Sequence, residues 1–345
     1  MTLLTRDEFR NAVFARDGGR CVVCKGQADA AHHILERRLW EDEGYYVENG
    51  ASLCPRHHIE AEQTTLSCED IRAAAGITVV ALPEYFDWAE RYDKWGNVFL
   101  PNGLRVRGDL FFDESVQAIL SAGGVLGQFT KYVKFPKIPH LPWSPGVDPD
   151  SDRVLTDADV EELFVGREVV ITEKVDGENT SMYGDYVHAR SLDSRNHPSR
   201  NWVKNLHARV AHEIPDGWRI CGENVFAEHS IHYNGLPSYF LVFAMYSESN
   251  ECLSWDDTMS YAEMLGLSVV PVLWRGTYDG KVDRQMFTGR SRFGGSQQEG
   301  YVVRLAQAIP WRGRKAAGFA KFVRKGHVQT AHNWMNREMV RNDLA

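Results

Sequence analysis

The sequence predicts an α+β protein: a larger domain of largely antiparallel strands with helices, preceded by a small metal-stapled module. Three observations carry that reading. Short apolar runs of strand length alternate with helical stretches from about residue 155 onward. Cysteines and histidines cluster at ligand spacing before about residue 66. A proline-rich run near residues 135–146 separates the two parts. With 345 residues, 43% of them hydrophobic and 25% charged, the chain has room for two or three domains with sizeable cores. No apolar run is long enough to span a bilayer and the start is no signal peptide, so a soluble cytoplasmic protein is expected.

Taken in order, residues 6–16 read as an amphipathic helix with Phe9, Val13 and Phe14 on one side. The Cys/His-rich segment follows. Residues 69–130 carry no motif and stand as a connecting region of unknown role. The run Phe135-Pro136-Lys137-Ile138-Pro139-His140-Leu141-Pro142 cannot be regular helix or central strand, and reads as an extended lead-in to the second domain. Beyond it, strands are predicted at 168–173, 181–189, 218–224, 239–246, 268–273, 300–304 and 319–323, and helices at 157–163, 201–213 and 256–265. The domain boundaries follow as 1–68, 69–130 and 131–345.

A net charge of -8 does not announce a nucleic-acid binder. Two basic segments stand out locally: Arg190, Arg195, Arg200, Lys204 and Arg209, then Arg312, Arg314, Lys315, Lys321, Arg324 and Lys325. They suit either a phosphate-binding surface or two solvated faces, and charge alone favours the second. Three of six cysteines lie in the first 54 residues. Cys68, Cys221 and Cys252 read as ordinary buried thiols.

Cys21-x-x-Cys24 and Cys54-x-x-His57 together suit a tetrahedral structural zinc with three thiolates and one imidazole. His32-His33 and Asn49 lie between the pairs, and His58 follows directly. On these residues, the stretch from about 6 to 66 resembles the HNH endonuclease family in its zinc-bearing ββα-metal version. The resemblance implies that His33 is the general base, that His32 and His58 hold a divalent cation, and that Asn49 orients the base or tethers its loop. Histidine stands at position 32 where that family commonly has aspartate, and His57 where it commonly has cysteine. The plainer alternative is a zinc module that binds nucleic acid or a partner without cutting.

The run Glu173-Lys174-Val175-Asp176-Gly177-Glu178-Asn179 follows an apolar stretch. After it come His188-Ala189-Arg190-Ser191, Gly222-Glu223-Asn224, Tyr239-Phe240-Leu241-Val242-Phe243, Glu299-Gly300-Tyr301-Val302-Val303-Arg304 and Ala320-Lys321-Phe322-Val323-Arg324-Lys325. This ordered series resembles the nucleotidyltransferase motifs of covalent polynucleotide ligases, most closely RNA ligases of the phage RNA ligase 2 type. The resemblance implies a nucleotidyltransferase (adenylyltransferase) domain that uses ATP and Mg2+ or Mn2+ to join 5′-phosphate and 3′-hydroxyl RNA ends through a lysyl-AMP. Nicked duplex, RNA/DNA hybrid and single-stranded ends all stay open as substrates. Lys174 matches the nucleophile, Glu223 the ribose ligand, Phe243 the adenine stacker with Phe240 as competitor, Glu299 the metal ligand and Lys321 the α-phosphate contact. Arg190 matches a sugar or phosphate contact, and Glu173, Asp176, Asn179 and Arg324 complete the nucleotide-binding set. About twenty residues follow the last motif, so no OB domain is expected after it.

The chemistry can also be read directly. A lysine amine attacks only when deprotonated. Asp176, Glu178 and Glu299 would raise its pKa, so Lys321, Arg190 and a bound cation must offset them. Phe243 in an apolar strand also fits the core, and Arg190 and Arg304 also fit plain surface positions. Two rival functions remain: an HNH nuclease whose ligase-like domain only recognises ends, and an inactive nucleic-acid-binding protein.

Overall fold

Thr5 caps the first helix, α1 (Arg6–Asp17), in a reciprocal capping box with Glu8, and Gly18 closes it in the left-handed conformation. Phe9 and Val13 on this helix are buried and Phe14 is half-buried, as its periodicity predicts. The computed structural model describes residues 1–149, 152–192, 194, 196–294, 297–309, 318–327 and 339–345. It divides the chain into two units, Met1–Val133 and the described residues from Lys134 onward.

In the first unit, β1 (Ala30–His33) pairs antiparallel with β2 (Gly50–Leu53), with His32 opposite Ala51 and His33 opposite Gly50. Cys54 then occupies the N-cap of α2 (Pro55–Glu62), and Pro55 sits at its first turn, where no amide donor is needed. Helix α3 (Cys68–Ala75) follows. Residues without any sequence motif supply the three-stranded sheet β3 (Arg91–Tyr92), β4 (Val98–Phe99) and β5 (Arg105–Val106), then α4 (Glu114–Ala122). They complete the core of this unit: Phe86 and Tyr92 join Ile34, Leu39, Trp40 and Leu53 in one buried cluster. Buried Arg105 reaches Asp93 at 3.1 Å and Thr64 Oγ1 at 2.5 Å. An unpaired charge there would be strongly destabilising, which ties this stretch to the module before it.

The second unit begins with α5 (Asp157–Phe164), capped by Thr156. The strands β6 (Glu168–Lys174), β7 (Glu178–Met182) and β8 (Val187–Ala189) precede α6 (Asn201–Val210). Then come β9 (Arg219–Asn224), β10 (Phe240–Tyr246) and α7 (Trp255–Met264), and after them β11 (Ser268–Val269), β12 (Val272–Thr277), β13 (Gly300–Leu305) and β14 (Phe319–Val323). They form a five-stranded sheet ordered β11-β10-β9-β7-β8 and a four-stranded sheet ordered β12-β6-β13-β14. Every pairing in these two sheets is antiparallel except β10 with β11. Val169, Ile171 and Val303 of one sheet share a buried cluster with Cys221, Ala244 and Tyr246 of the other. The α+β class is therefore as predicted.

Two predicted strands divide. The stretch 181–189 turns after Met182, where the Tyr183 amide donates to the Tyr186 carbonyl at 2.7 Å, giving the β7–β8 hairpin. The stretch 268–273 breaks at Pro271, which has no amide donor; its carbonyl accepts from the Glu173 amide at 2.9 Å. The proline-rich run does more than lead in. Lys321 N donates to Pro139 O at 2.9 Å and Leu141 N to Lys321 O at 2.8 Å, so the run lies along β14 and covers its edge.

Candidate functional site

Lys174 ends β6 directly opposite Gly300, the first residue of β13. Glu299 is therefore delivered beside it, and the Lys174 amine donates to Glu299 Oε1 at 2.5 Å. Glu299 is 1% exposed; its other oxygen is buried without a hydrogen-bond partner among the described residues. Asp176 lies in the turn after β6. Its Oδ2 accepts from the Ser230 amide at 2.8 Å and the Ser230 hydroxyl at 2.6 Å, and its own amide donates to Tyr233 Oη at 2.9 Å. Glu223 on β9 pairs across from Asn179 on β7. Lys321 on β14 stands opposite Val302 and 3.7 Å from Asp152 Oδ1, while Asp152 Oδ2 faces His140 Nε2 at 3.1 Å.

Two glycines make this convergence possible. A Cβ at Gly300 would meet the Phe322 carbonyl oxygen at 1.8 Å, so only glycine lets β13 and β14 close at this point. A Cβ at Gly177 would meet the Asn224 carbonyl oxygen at 2.6 Å, so glycine lets the nucleophile turn pack on β9.

Burial alone would lower the Lys174 pKa, but Glu299, Glu223 and Asp176 outweigh it and the amine is held above its ordinary value. Burial pushes Glu223 up to about 8, against the pull of Lys174. Burial also opposes the charge on Glu299, yet Lys174 and His327 hold it down to about 2. Lys321 is lowered to about 8, by burial first and then by the nearby Lys174 and Arg190, against Asp152 and Glu299. The pocket thus holds an ammonium locked to a carboxylate, a second carboxyl whose charge burial opposes, and a lysine whose ammonium form burial opposes.

Residues 167–323 match the RNA ligase family model. Lys174, Glu223, Glu299 and Lys321 all fall within this segment, whereas His140, Asp152 and His327 fall outside it. Solved structures that resemble the chain include a Naegleria gruberi RNA ligase mutant with AMP and Mn (16% identity, 55% of this chain and 57% of that chain, TM-score 0.38). An archaeal ATP-dependent RNA ligase matches at 15% identity over 56% of this chain and 48% of that one, TM-score 0.38. A putative ATP-dependent DNA ligase from Aquifex aeolicus matches at 20% identity over 56% and 50%, TM-score 0.36. The matched part spans 57% of the first of these proteins and about half of the other two. No curated protein matches the chain.

The remaining predicted residues of the RNA ligase-like segment fall into two groups. Near the pocket, Arg190 is exposed just past β8, and the Arg324 amide donates to the Glu299 carbonyl at 3.0 Å while its Nε is buried without a partner. Asn179 Oδ1 is likewise buried and unpaired. Phe243 is half-buried at a bulge in the β9–β10 register, its ring 4.9 Å from that of Phe135. Phe240 is fully buried against Gly222, so it belongs to the core. Glu173 points elsewhere, one carboxylate oxygen accepting from the Arg292 amide at 2.9 Å. Glu178, expected to act on Lys174, is engaged by Arg200, whose Nε donates to it at 2.7 Å. Arg304 is not a surface residue: it is 1% exposed and donates to the carbonyls of Phe243 at 3.1 Å and Leu253 at 2.8 Å. Arg195, Arg312, Arg314 and Lys315 lie outside the described residues.

In the first unit, ligand atoms of Cys21, Cys24, Cys54 and His57 lie within 4.8 Å of one another. Cys21 Sγ and Cys54 Sγ approach His57 Nδ1 to 3.4 and 3.2 Å. A second group joins His32, His58 and Glu62. Their neighbour Lys94 sits 3.2 Å from Glu62 Oε1 and donates to the His33 carbonyl at 3.0 Å. Both ring nitrogens of His32 are buried without hydrogen-bond partners, as expected of a neutral ligand. His33 points to the other face of β1, its ring stacked 4.5 Å from Phe9, and burial with Lys94 lowers it to about 4. Asn49 holds the loop closed, accepting from the Leu35 amide at 2.9 Å and donating to the Leu35 carbonyl at 3.0 Å.

Sequence reasoning missed Glu62, Lys94, Asp152 and His327. Glu62 carried a usable signal, because His58 and Glu62 are four residues apart on one helix face. The others carry none, since they enter through distant segments that no motif spans.

Proposed function

We propose that this protein is an ATP-dependent RNA ligase. One observation carries the reading: within the segment that matches the RNA ligase family model, Lys174 is paired with Glu299, with Glu223, Asp176 and Lys321 as its charged neighbours. The Lys174 nitrogen attacks the α-phosphorus of ATP. A P–N bond forms, the bond to the pyrophosphate oxygen breaks, and the amine proton leaves to solvent. The AMP then passes to the 5′-phosphate of an RNA end, and a 3′-hydroxyl displaces it to form the phosphodiester. Glu223 binds the ribose hydroxyls, Phe243 offers its ring to adenine, and Lys321 steadies the α-phosphate. Catalysis of this kind is mostly positioning and charge neutralisation. The unpaired buried oxygen of Glu299 suits a divalent cation. Glu299 would hold Mg2+ or Mn2+, whose positive charge would favour the deprotonated amine of Lys174.

With α-labelled ATP and Mg2+, label is expected on the wild-type chain and none on Lys174→Ala. Label on Lys174→Ala, or an unlabelled wild type, overturns the assignment.

For the first unit we propose an HNH-type module that carries zinc on Cys21, Cys24, Cys54 and His57 and a second divalent cation at His32 and His58. The two ligand groups support this reading. Metal-dependent nicking of DNA or RNA, lost in His33→Ala, is the expected result; no nicking by wild type leaves the module as a binder only.

A further inference from the structure

We propose that Asp176, Glu299 and His327 form one divalent-cation site, and that its imidazole ligand makes the site select Mn2+ and other first-row ions over Mg2+. The catalytic role of the site rests on the RNA ligase reading; its existence does not. One ligand atom from each residue lies within 4.8 Å of the others, roughly the span of ligands about a single ion.

The hydrogen-bond inventory argues for a cation. The Ser230 hydroxyl spends its proton on Asp176 Oδ2 at 2.6 Å. It can therefore only accept from His327 Nδ1, 3.4 Å away. That arrangement puts the ring proton on Nδ1 and turns the Nε2 lone pair inward. Nε2 then faces Glu299 Oε1 at 3.1 Å and Asp176 Oδ1 at 3.7 Å. His327 Nε2, Asp176 Oδ1 and Glu299 Oε1, which already accepts from Lys174, thus converge, and a proton on Nε2 or a metal ion would reconcile them. A second observation points to the ion. Glu299 is 1% exposed, and its Oε2 has no hydrogen-bond partner among the described residues; a proton on His327 Nε2 reaches only Oε1, whereas an ion held by both carboxylate oxygens would satisfy Oε2 as well.

The ligand set then decides the metal. The His327 side chain is 1% exposed, and Ser230 holds the far side of the ring as an orienting partner. Mg2+ prefers oxygen ligands and keeps several waters, which a buried site with one nitrogen ligand does not favour. Imidazole beside carboxylates suits Mn2+, Co2+ or Zn2+. His327 follows the last ligase-like motif and lies outside the segment that matches the family model.

The test uses the full chain in a His32→Ala/His58→Ala background, with one equivalent of zinc supplied, so that the first unit offers Mn2+ no histidine pair. Titration with MnCl2 followed by electron paramagnetic resonance should show one tightly bound ion with nitrogen coupling from a coordinated imidazole. His327→Ala should lose the coupling and bind Mn2+ at least about tenfold more weakly. His327→Gln, which preserves a polar contact to Ser230, should do the same while melting as the parent does. Bound Mn2+ without nitrogen coupling, or coupling that survives both substitutions, overturns the site and leaves His327 as a charged partner of Glu299 only. The ratio of Lys174 labelling rates in Mn2+ and Mg2+ should fall about tenfold in His327→Gln. Nitrogen-coupled Mn2+ in a chain that never labels refutes the ligase reading and spares the site; labelling without coupled Mn2+ does the reverse.

Discussion

At Lys174 the opposing influences are burial, which favours a neutral amine, and three carboxylates, which favour an ammonium; the carboxylates win. The direction of that result was legible in Lys-x-Asp-Gly, because acidic residues flank the lysine in sequence. The identity of the neighbours was only partly so. Glu178 turns to Arg200, and Glu223 takes its place from a strand that no local reading could bring close. Lys321 shows the converse effect. At about 8 its pKa is low enough that the free protein holds it partly neutral at pH 8.5. A nucleotide phosphate arriving there favours the ammonium, so ATP binding at pH 8.5 should take up a proton. Calorimetry in buffers of different ionisation enthalpy should register that uptake in wild type. It should shrink in Lys321→Arg, which stays charged throughout. Equal uptake in both proteins would place the phosphate elsewhere.

At the scale of elements, the site depends on how closely β6, β13 and β14 pack. Short apolar runs placed these strands to within a residue or two, because they are buried in the core, in β6 on both faces: Val169 and Ile171 pack in one cluster and Val170 in another. The errors came where one residue overrides the pattern: Pro271 cuts a predicted strand, and the turn at Tyr183 folds another into a hairpin. The proline-rich run was legible as irregular but not as the cover of an edge strand, since that depends on the pairing of Pro139 and Leu141 with Lys321. Gly300 tests the packing directly. Ala at this position drives a methyl into the Phe322 carbonyl, so the strands must part and Lys321 must move relative to Lys174. Gly300→Ala should cost roughly 1–3 kcal/mol or more in chemical denaturation and lower Lys174 labelling by more than the unfolded fraction explains. Wild-type stability in this variant would show that the approach is not needed.

At the scale of the whole molecule, two chemistries are built from separate stretches of chain. The residues around Lys174 come from 140–327, and the cysteine and histidine groups with their neighbours from 9–94. The first group was announced by a series of motifs in order; the second by pair spacing, with Lys94 supplied by a stretch that carries no motif. Cys54 joins the two candidate ligand groups of the first unit, since it caps α2, the helix that carries His57, His58 and Glu62. Zinc binding to small structural modules is worth about 10–16 kcal/mol, comparable to the whole stability of a typical domain at about 5–15 kcal/mol. Removing the ion should therefore unfold the first unit and scatter its second group. A Cys24→Ser/Cys54→Ser protein should retain no zinc by elemental analysis and show an early thermal transition that wild type lacks. It should lose any nicking activity yet still take label from ATP on Lys174, because Glu299, Glu223 and Asp176, which act on that lysine, all belong to the second unit. Loss of labelling in step with zinc would mean that the ligase chemistry depends on the first unit, and the two activities would have to be treated as one.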